Sequence, residues 1–353
     1  MIKCHRSDIF RNFIIIAGIV VFGVIILRHP HVASAGVKNG LNLLYENLIP
    51  SLFPFMVLSG YIARSPATDY FAEFVNKLTK RFFHVNAYHI VAFVLGCSGG
   101  YPVGAKTIVE FKNKGYLSEN EASRLFYWCI NPGASFVITA VGTFMLGNTL
   151  SGVIIYISCI ASSVVLGIFS SFFCKTDAHP KEKYAPPKDS QHIFIKSVSS
   201  SVEAMLGICG WVLFFSTLCE LCNQLVPNDG LKLFISSVAE VTSGCNATVS
   251  SGLSLPVLCA VISFGGLAVA AQISPDLLYC GVKPTAYLCW RVAGSAVSAF
   301  FCSQLVRLFP QCVTISATLT PAHALTKDIP TALIMVFMCI VLIFEVDNKR
   351  KVW

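Results

Sequence analysis

Long apolar segments alternate with short polar stretches along the whole chain, and this pattern predicts a helical membrane protein. The segments cover about residues 10–28, 41–63, 88–111, 120–146, 150–174, 197–226, 231–251, 254–273, 284–309 and 329–346. A helix needs roughly 20 apolar residues to cross the hydrocarbon core of a bilayer, and most of these segments reach that length. We therefore expect an all-α polytopic membrane protein located in the cell membrane.

Two of these segments differ from the rest because polar, glycine-rich sequences interrupt them. The interruptions are residues 96–102 (GCSGGYP) and residues 240–246 (EVTSGCN), at matching places in two apolar halves. Inside a membrane, backbone outside a helix is tolerated only where protein buries it or where it lines a wet cavity. We predict that 88–111 and 231–251 are re-entrant helical hairpins, which leaves about eight spanning helices.

The positions of lysine and arginine support this count. With the N-terminus inside the cell, these residues concentrate on the inner side, in the N-terminal tail, in 64–81, 112–124 and 175–196, and in the tail 349–351. Positively charged loops tend to stay on the cytoplasmic side of a membrane. The pattern therefore places both termini in the cytoplasm and favours hairpins that enter and return on one side.

A lysine- and proline-rich linker divides the chain into two halves with the same order of elements. Each half has an apolar helix, a hairpin, a helix broken near its middle and an unbroken helix, and the two hairpins open to opposite sides. Repeats inverted in this way place a substrate site near the membrane midplane. The predicted divisions are an N-terminal membrane helix (1–40), a first repeat (41–174), a cytoplasmic linker (175–196), a second repeat (197–309), and a C-terminal membrane helix with a basic tail (310–353).

Composition narrows the functional classes. Hydrophobic residues make up 55% of the chain and charged residues only 12%, whereas about a quarter of a soluble domain is charged. The net charge of +8 is spread over short loops, so we expect no nucleic-acid partner. Most of the 15 cysteines lie in apolar runs, where they behave as small buried residues, and we expect no metal site. Nucleotide-binding and hydrolase motifs are lacking, so we predict neither an enzyme nor a cofactor.

The first hairpin supplies candidate substrate-binding residues at its tip, namely Ser98, Gly99, Gly100 and Tyr101. The glycines permit a positive φ and a close approach of the backbone, and Pro102 suits the first turn of the returning helix. A helix N-terminus at membrane depth presents free N–H groups and the positive end of the helix dipole, which attract an anion. Alternatively, the glycines serve only to pack the hairpin against its neighbours.

Lys106 and Asn131 are two further substrate-binding candidates. An ionisable side chain inside a membrane costs ~2.5–3.5 kcal/mol on insertion scales, so Lys106 is a functional candidate. Its structural alternative is an ion pair with Glu110, four residues later. Pro132 breaks a helix directly after Asn131, whose amide then lies near freed carbonyl groups. A ligand contact and a simple proline kink both explain this break.

The second hairpin concentrates polar candidates between apolar flanks, namely Glu240, Thr242, Ser243 and Asn246. A buried Glu240 would bind a cation, take up a proton or pair with a base. Arg291, inside the apolar segment 284–309, is the candidate partner for such a pair. If Arg291 is not paired with Glu240, it becomes a second anion-binding group.

Four motifs carry a resemblance to a known family. They are residues 98–106 (SGGYPVGAK), 131–132 (NP), 240–244 (EVTSG) and the amphipathic stretch 48–55 (LIPSLFPF). From about residue 40 to 310 the chain resembles the sporulation integral membrane proteins of the YlbJ type, part of the wider group with the gate domain of nucleoside transporters and FeoB. The resemblance implies two gate-like repeats and a role in endospore formation, with movement of dipicolinate from mother cell into forespore as the suggested function.

The function expected from these observations is that of a secondary membrane transporter or facilitator for a small anionic solute, with dipicolinate as the candidate. Two alternatives stay open. One is a nucleoside carrier whose hairpins contact ribose and base, and the other is a membrane scaffold that sporulation needs but that transports nothing. The expected partners are the anionic small molecule and the lipid bilayer, and a homo-oligomer is compatible with this architecture.

Overall fold

The computed structural model describes residues 6–82, 87–171 and 190–310, and every regular element within these ranges is a helix. The all-α prediction is therefore confirmed for the described part of the chain. The last predicted segment, 329–346, and most of the predicted linker lie outside the described residues.

The N-terminal part of the fold is built from long helices. Helix α1 covers Arg6–Arg28. Helix α2 (Pro30–Leu43) passes through a π-helical turn, Leu44–Leu48, into α3 (Ile49–Arg64). These three elements form one continuous helix, Pro30–Arg64, which runs across the boundary predicted near residue 40. Helix α4 (Ala67–Phe82) follows after a short turn.

The first predicted hairpin is present as two antiparallel helices. Helix α5 covers Ala87–Gly99 and helix α6 covers Tyr101–Asn113, with Gly100 between them at φ +88° and ψ −175°. The two helices pack closely because Gly96 faces Gly104: a Cβ on Gly96 would lie 3.3 Å from the Gly104 Cα and 2.5 Å from the carbonyl oxygen of Cys129. Only glycine fits at this crossing.

The helix predicted over 120–146 is broken, as its proline indicated. Helix α7 covers Glu119–Leu125, residues 130–133 have no regular structure, and a π-helical segment covers Phe136–Met145. Helix α8 (Thr149–Ser171) then completes the first half. The wide π-helical turn is uncommon, and such segments are frequent at functional sites.

The second half of the described chain begins at Ser190. Helix α9 (Ser190–Leu225) begins inside the range predicted for the linker. The second hairpin consists of α10 (Asp229–Ala239) and α11 (Val241–Ser250), with Glu240 between them. The following helix breaks at Gly265 into α12 (Leu255–Phe264) and α13 (Gly266–Gln272). Helices α14 (Ser274–Tyr279) and α15 (Pro284–Leu308) end the described chain.

Four helices in the described ranges are long and apolar enough to cross a membrane, judged by length and composition. They are Pro30–Arg64, Thr149–Ser170, His192–Leu225 and Leu255–Gln272. Shorter apolar helices are Ile19–Arg28, Ala87–Gly99 and Phe136–Met145. The count of eight spans and the re-entrant path of the hairpins stay predictions.

The first hairpin lies between two apolar clusters. One cluster joins α3, α6, α9 and the π-helical segment, and it includes Leu52, Met56, Val103, Phe136 and Ile208. The other lies beneath α5, α6 and α7, and it includes Tyr101, Ile108, Phe111, Phe126 and Tyr287. Since α6 contributes to both clusters, its first turn lies at the junction between them.

Candidate functional site

The tip of each hairpin packs against the helix break that follows it in the same half. A Cβ placed on Gly100 would lie 3.3 Å from the backbone nitrogen of Gly133. In the second half, a Cβ placed on Gly266 would lie 3.1 Å from the Cα of Glu240. Gly266 has φ +82°, a conformation that favours glycine. Both halves therefore use glycine to bring a hairpin tip against unwound backbone.

Arg291 joins the two breaks. Its Nη1 donates to the carbonyl of Ile130, 2.6 Å away, in the first break. Its Nε and Nη2 donate to the carbonyls of Phe264 and Ser263 in the second break. Broken helices leave carbonyl groups without intrahelical donors, and the buried guanidinium satisfies three of them.

Tyr101 links the first hairpin tip to the second break. Its hydroxyl donates to the carbonyl of Ile262 at 2.5 Å, and its ring packs against Gly265. The Arg291 guanidinium lies over the same ring, 5.5 Å from its centroid, which is a cation–π distance. The tip of the first hairpin is thereby fixed to the second half.

Glu240 caps the second hairpin's returning helix. Its carboxylate accepts hydrogen bonds from the backbone N–H groups of Thr242 (2.8 Å) and Ser243 (2.6 Å) at the start of α11. The residue is buried, with 2% of its surface exposed. The alternative that Glu240 pairs with Arg291 is therefore wrong, because each side chain is bonded to backbone groups instead.

The two hairpin tips enclose a cavity, which we call the tip cavity. Its empty volume is about 520 Å³. The tips contribute Gly100, Tyr101, Pro102, Glu240, Val241 and Thr242, and the surrounding helices contribute mainly apolar side chains, among them Leu52, Phe136 and Trp211. The tip cavity therefore brings together four of the predicted site residues: Gly100, Tyr101, Glu240 and Thr242.

Two polar side chains at the tip cavity have unused hydrogen-bonding capacity. The hydroxyl of Thr242 is fully buried and has no hydrogen-bond partner. Gln272, at the end of α13, also lines the cavity. A buried hydroxyl without a partner costs free energy, and that of Thr242 belongs to a residue that lines this cavity.

Other predicted site residues are held elsewhere by protein contacts. Ser98 lies 3.1 Å from the hydroxyl of Ser59 on α3. The amide of Asn131 donates to the Trp128 carbonyl and accepts a hydrogen bond from Ser163 on α8. The hydrogen-bonding groups of the Asn131 side chain are therefore bound within the protein, and they join the first break to α8.

Gly99, Ser243 and Asn246 do not line the tip cavity. Gly99 packs against Val103, Ser243 supplies a backbone N–H to Glu240, and Asn246 is exposed on α11. The sequence favours Gly99 for its conformational freedom and Ser243 and Asn246 for the polar density of the second hairpin. Helical periodicity places Ser243 on another face of α11 than Thr242.

Lys106 lies in a second cavity, which we call the basic vestibule. It is bordered by α3, α6 and α9 and has an empty volume of about 360 Å³. The alternative that Lys106 pairs with Glu110 is wrong, because the Glu110 carboxylate lies 3.4 Å from Arg64 and 3.6 Å from Lys114 instead.

Sequence reasoning did not identify Gln272, Trp211 or Arg64 as site residues. Gln272 carries a detectable signal, since it is a polar residue that ends an otherwise apolar run. Trp211 and Arg64 carry none, because each lies in a helix far along the chain from both hairpins. Only the packing of α3 and α9 beside the hairpins brings them to the two cavities.

Helices of this length and apolarity define an integral membrane protein of the all-α class. In comparison with known proteins, the chain is similar to the sporulation integral membrane protein YlbJ of Bacillus subtilis (strain 168), with 22% identity over 333 residues that cover 82% of each chain. The resemblance to YlbJ-type proteins indicated by the motifs is thereby confirmed. No family model matches the chain, and no solved structure matches it.

Proposed function

We propose that the chain is a secondary transporter or facilitator that carries a small solute with an anionic group across a membrane during endospore formation. The observation that carries the proposal is the tip cavity, which both hairpin tips border. A tip from each half forms the wall, which is the arrangement expected where two inverted repeats share a substrate site.

The two helix N-termini at the cavity differ in their capacity for an anion. The start of α11 is already occupied by the carboxylate of Glu240. The start of α6 has no side-chain cap, so the N–H groups of Tyr101 and Val103 are free of intrahelical partners. We place the anionic group of the solute at the start of α6, since a second negative charge beside Glu240 would be repelled.

The rest of the cavity suits a solute whose remaining part is planar and mostly apolar. Leu52, Phe136 and Trp211 form its apolar wall, and an aromatic side chain gives a planar surface for stacking. Dipicolinate, a planar ring that bears carboxylates, fits this division between an apolar wall and one anion-binding end. The similarity to a sporulation membrane protein supports the same candidate.

A nucleoside is the second candidate, because Thr242 and Gln272 offer uncharged hydrogen-bonding groups at the cavity. Such groups suit a ribose or a neutral base as well as they suit a carboxylate. The two candidates therefore differ mainly at the start of α6: a dianion requires its free N–H groups as an anion-binding site, whereas a nucleoside does not.

Uptake into proteoliposomes tests both candidates. The full chain is reconstituted, and uptake of labelled dipicolinate is compared with uptake of labelled uridine. We expect saturable dipicolinate uptake that Thr242→Val lowers about fivefold, the effect of about 1 kcal/mol from one hydrogen bond. Thr248→Val is the matched control, because the Thr248 hydroxyl bonds to the carbonyl of Gly244 within its own helix.

The outcomes separate the functions. Uptake of uridine alone would assign the cavity to nucleosides. A folded protein that takes up neither solute would contradict the carrier and favour the scaffold.

A further inference from the structure

The basic vestibule lies between α3, α6 and α9. One face of α6 borders it, formed by Val103, Lys106, Thr107 and Glu110. These positions are three or four residues apart, so they share one face of the helix. The opposite walls are the end of α3 with Arg64 and the start of α9 with its serines.

Positive charge exceeds negative charge in the vestibule. One carboxylate, Glu110, lies between two cations, Arg64 and Lys114. Arg64 also donates to the hydroxyl of Ser200 at 3.0 Å, and Lys114 donates to the carbonyl of Ala63 at 2.9 Å. Both cations are therefore fixed by several protein contacts.

Lys106 is the third cation of this region, beside Arg64 and Lys114. It is half-buried at the vestibule wall and makes no hydrogen bond or ion pair with any residue in the described part of the chain. Asp276 on α14 is near enough to feel its charge: burial raises the pKa of Asp276, and Lys106 opposes that increase. The ammonium group of Lys106 therefore has donors to offer to an anion that enters the vestibule.

A hydroxyl-bearing residue lines the same cavity as Lys106. Thr107 follows Lys106 on α6, lines the same cavity and is buried, with 3% of its surface exposed. An ammonium and a hydroxyl that line one cavity offer donors to the oxygens of a carboxylate or a phosphate.

The vestibule and the tip cavity follow each other along the same three helices. On α3 the vestibule ends at Met56 and the tip cavity begins at Leu52; on α9 the corresponding pair is Ala204 and Ile208. Each pair is one helical turn apart. Met56 of the vestibule and Leu52 of the tip cavity belong to the same buried apolar cluster.

We propose that the basic vestibule is an anion-binding site in which Lys106 and Thr107 hold a carboxylate or phosphate group. Its further role, to receive a solute bound for the tip cavity, rests on the transport function proposed above. The binding of an anion at Lys106 does not rest on it. The anionic group comes either from a free solute or from a lipid headgroup.

Protection of Lys106 from acetylation tests the site. The full chain is placed in nanodiscs of phosphatidylcholine, treated with an acetylating reagent, and analysed by mass spectrometry of the peptide that contains Lys106. Dipicolinate is the probe, with chloride at equal ionic strength as the reference. We expect dipicolinate to slow acetylation of Lys106 at least threefold and to leave the exposed Lys38 unchanged.

A second arm separates the two sources of the anion. Nanodiscs that contain phosphatidylglycerol and no dipicolinate present lipid phosphate only, so protection in them assigns the site to a headgroup. In both arms we expect Thr107→Val, which keeps the shape of the side chain but removes the hydroxyl, to weaken protection about threefold.

Equal rates for Lys106 in chloride, dipicolinate and phosphatidylglycerol would overturn the proposal. So would a Lys106 that does not react in chloride, because a cavity closed to the reagent is closed to an anion. Protection of Lys106 without uptake in proteoliposomes would support the anion site and contradict transport. Uptake without protection of Lys106 would support transport and contradict the anion site.

Discussion

The guanidinium of Arg291 donates a hydrogen bond to the carbonyl of Ile130 over 2.6 Å, although 161 positions separate the two residues in the chain. The same side chain donates to Ser263 and Phe264. Arg291 therefore donates hydrogen bonds to backbone carbonyls of both helix breaks and holds the two breaks together.

Replacement of Arg291 by methionine should destabilise the protein strongly. Three buried carbonyls would lose their donor, and each unsatisfied group costs ~1–3 kcal/mol, so we expect a loss of about 3 kcal/mol or more. Arg291→Lys should restore only part of it, since an ammonium lacks the planar fork of a guanidinium. Thermal unfolding of the purified protein in detergent measures both effects. Arg307→Met, at an exposed position on the same helix, is the control, and equal losses at both sites would contradict the assignment.

Replacement of Gly100 by alanine should disturb the first tip. Its φ of +88° and ψ of −175° lie in a region that only glycine adopts readily, at a cost of ~1–3 kcal/mol for other residues. The new Cβ would also press on Gly133. Gly115→Ala is the matched control, because Gly115 has φ +71° but open space around it. We expect a larger decrease in unfolding temperature for Gly100→Ala; equal decreases would show that the contact with Gly133 does not matter.

Replacement of Thr242 by valine should leave stability unchanged or raise it by about 1 kcal/mol. Valine keeps the shape of the side chain and removes a buried hydroxyl that has no partner. Thr248→Val should lower stability by about 0.5–1 kcal/mol, because it removes the hydrogen bond to Gly244. Chemical denaturation of the two variants side by side gives the comparison. A marked loss of stability in Thr242→Val would mean that its hydroxyl has a structural role.

Replacement of Glu240 by alanine should unwind the start of α11. Loss of an N-cap costs ~0.5–2 kcal/mol, and we expect the upper part of this range because Glu240 is buried and accepts two hydrogen bonds. Asn228→Ala removes the cap of α10, which is exposed and accepts one hydrogen bond from Leu231. Hydrogen exchange of the two helix starts should show a greater loss of protection at α11. An equal loss would indicate that burial adds nothing to this cap.

The positions of the breaks could be predicted from the sequence with good accuracy. Gly100, Asn131 with Pro132, and Gly265 with Gly266 all interrupt apolar runs, and the described helices end or begin beside each of them. The reason is local, since proline lacks a donor and glycine adopts positive φ without a steric cost.

The partners of the charged residues could not be predicted in the same way. Spacing along one helix favoured a pair between Lys106 and Glu110, and chemistry favoured a pair between Glu240 and Arg291. Each pair is replaced by contacts that depend on neighbours from other helices, such as Arg64 for Glu110.

By itself the sequence determined that this chain is an apolar helical protein, where its helices break and which residues occupy the hairpin tips, because these follow from local backbone chemistry and from hydrophobic length. The tertiary structure decided which tips and breaks meet, that Arg291 serves carbonyls rather than a carboxylate, and that Lys106 lies in a cavity separate from Glu240. Those outcomes depend on how distant helices such as α3, α9 and α15 pack, and no local pattern encodes that packing.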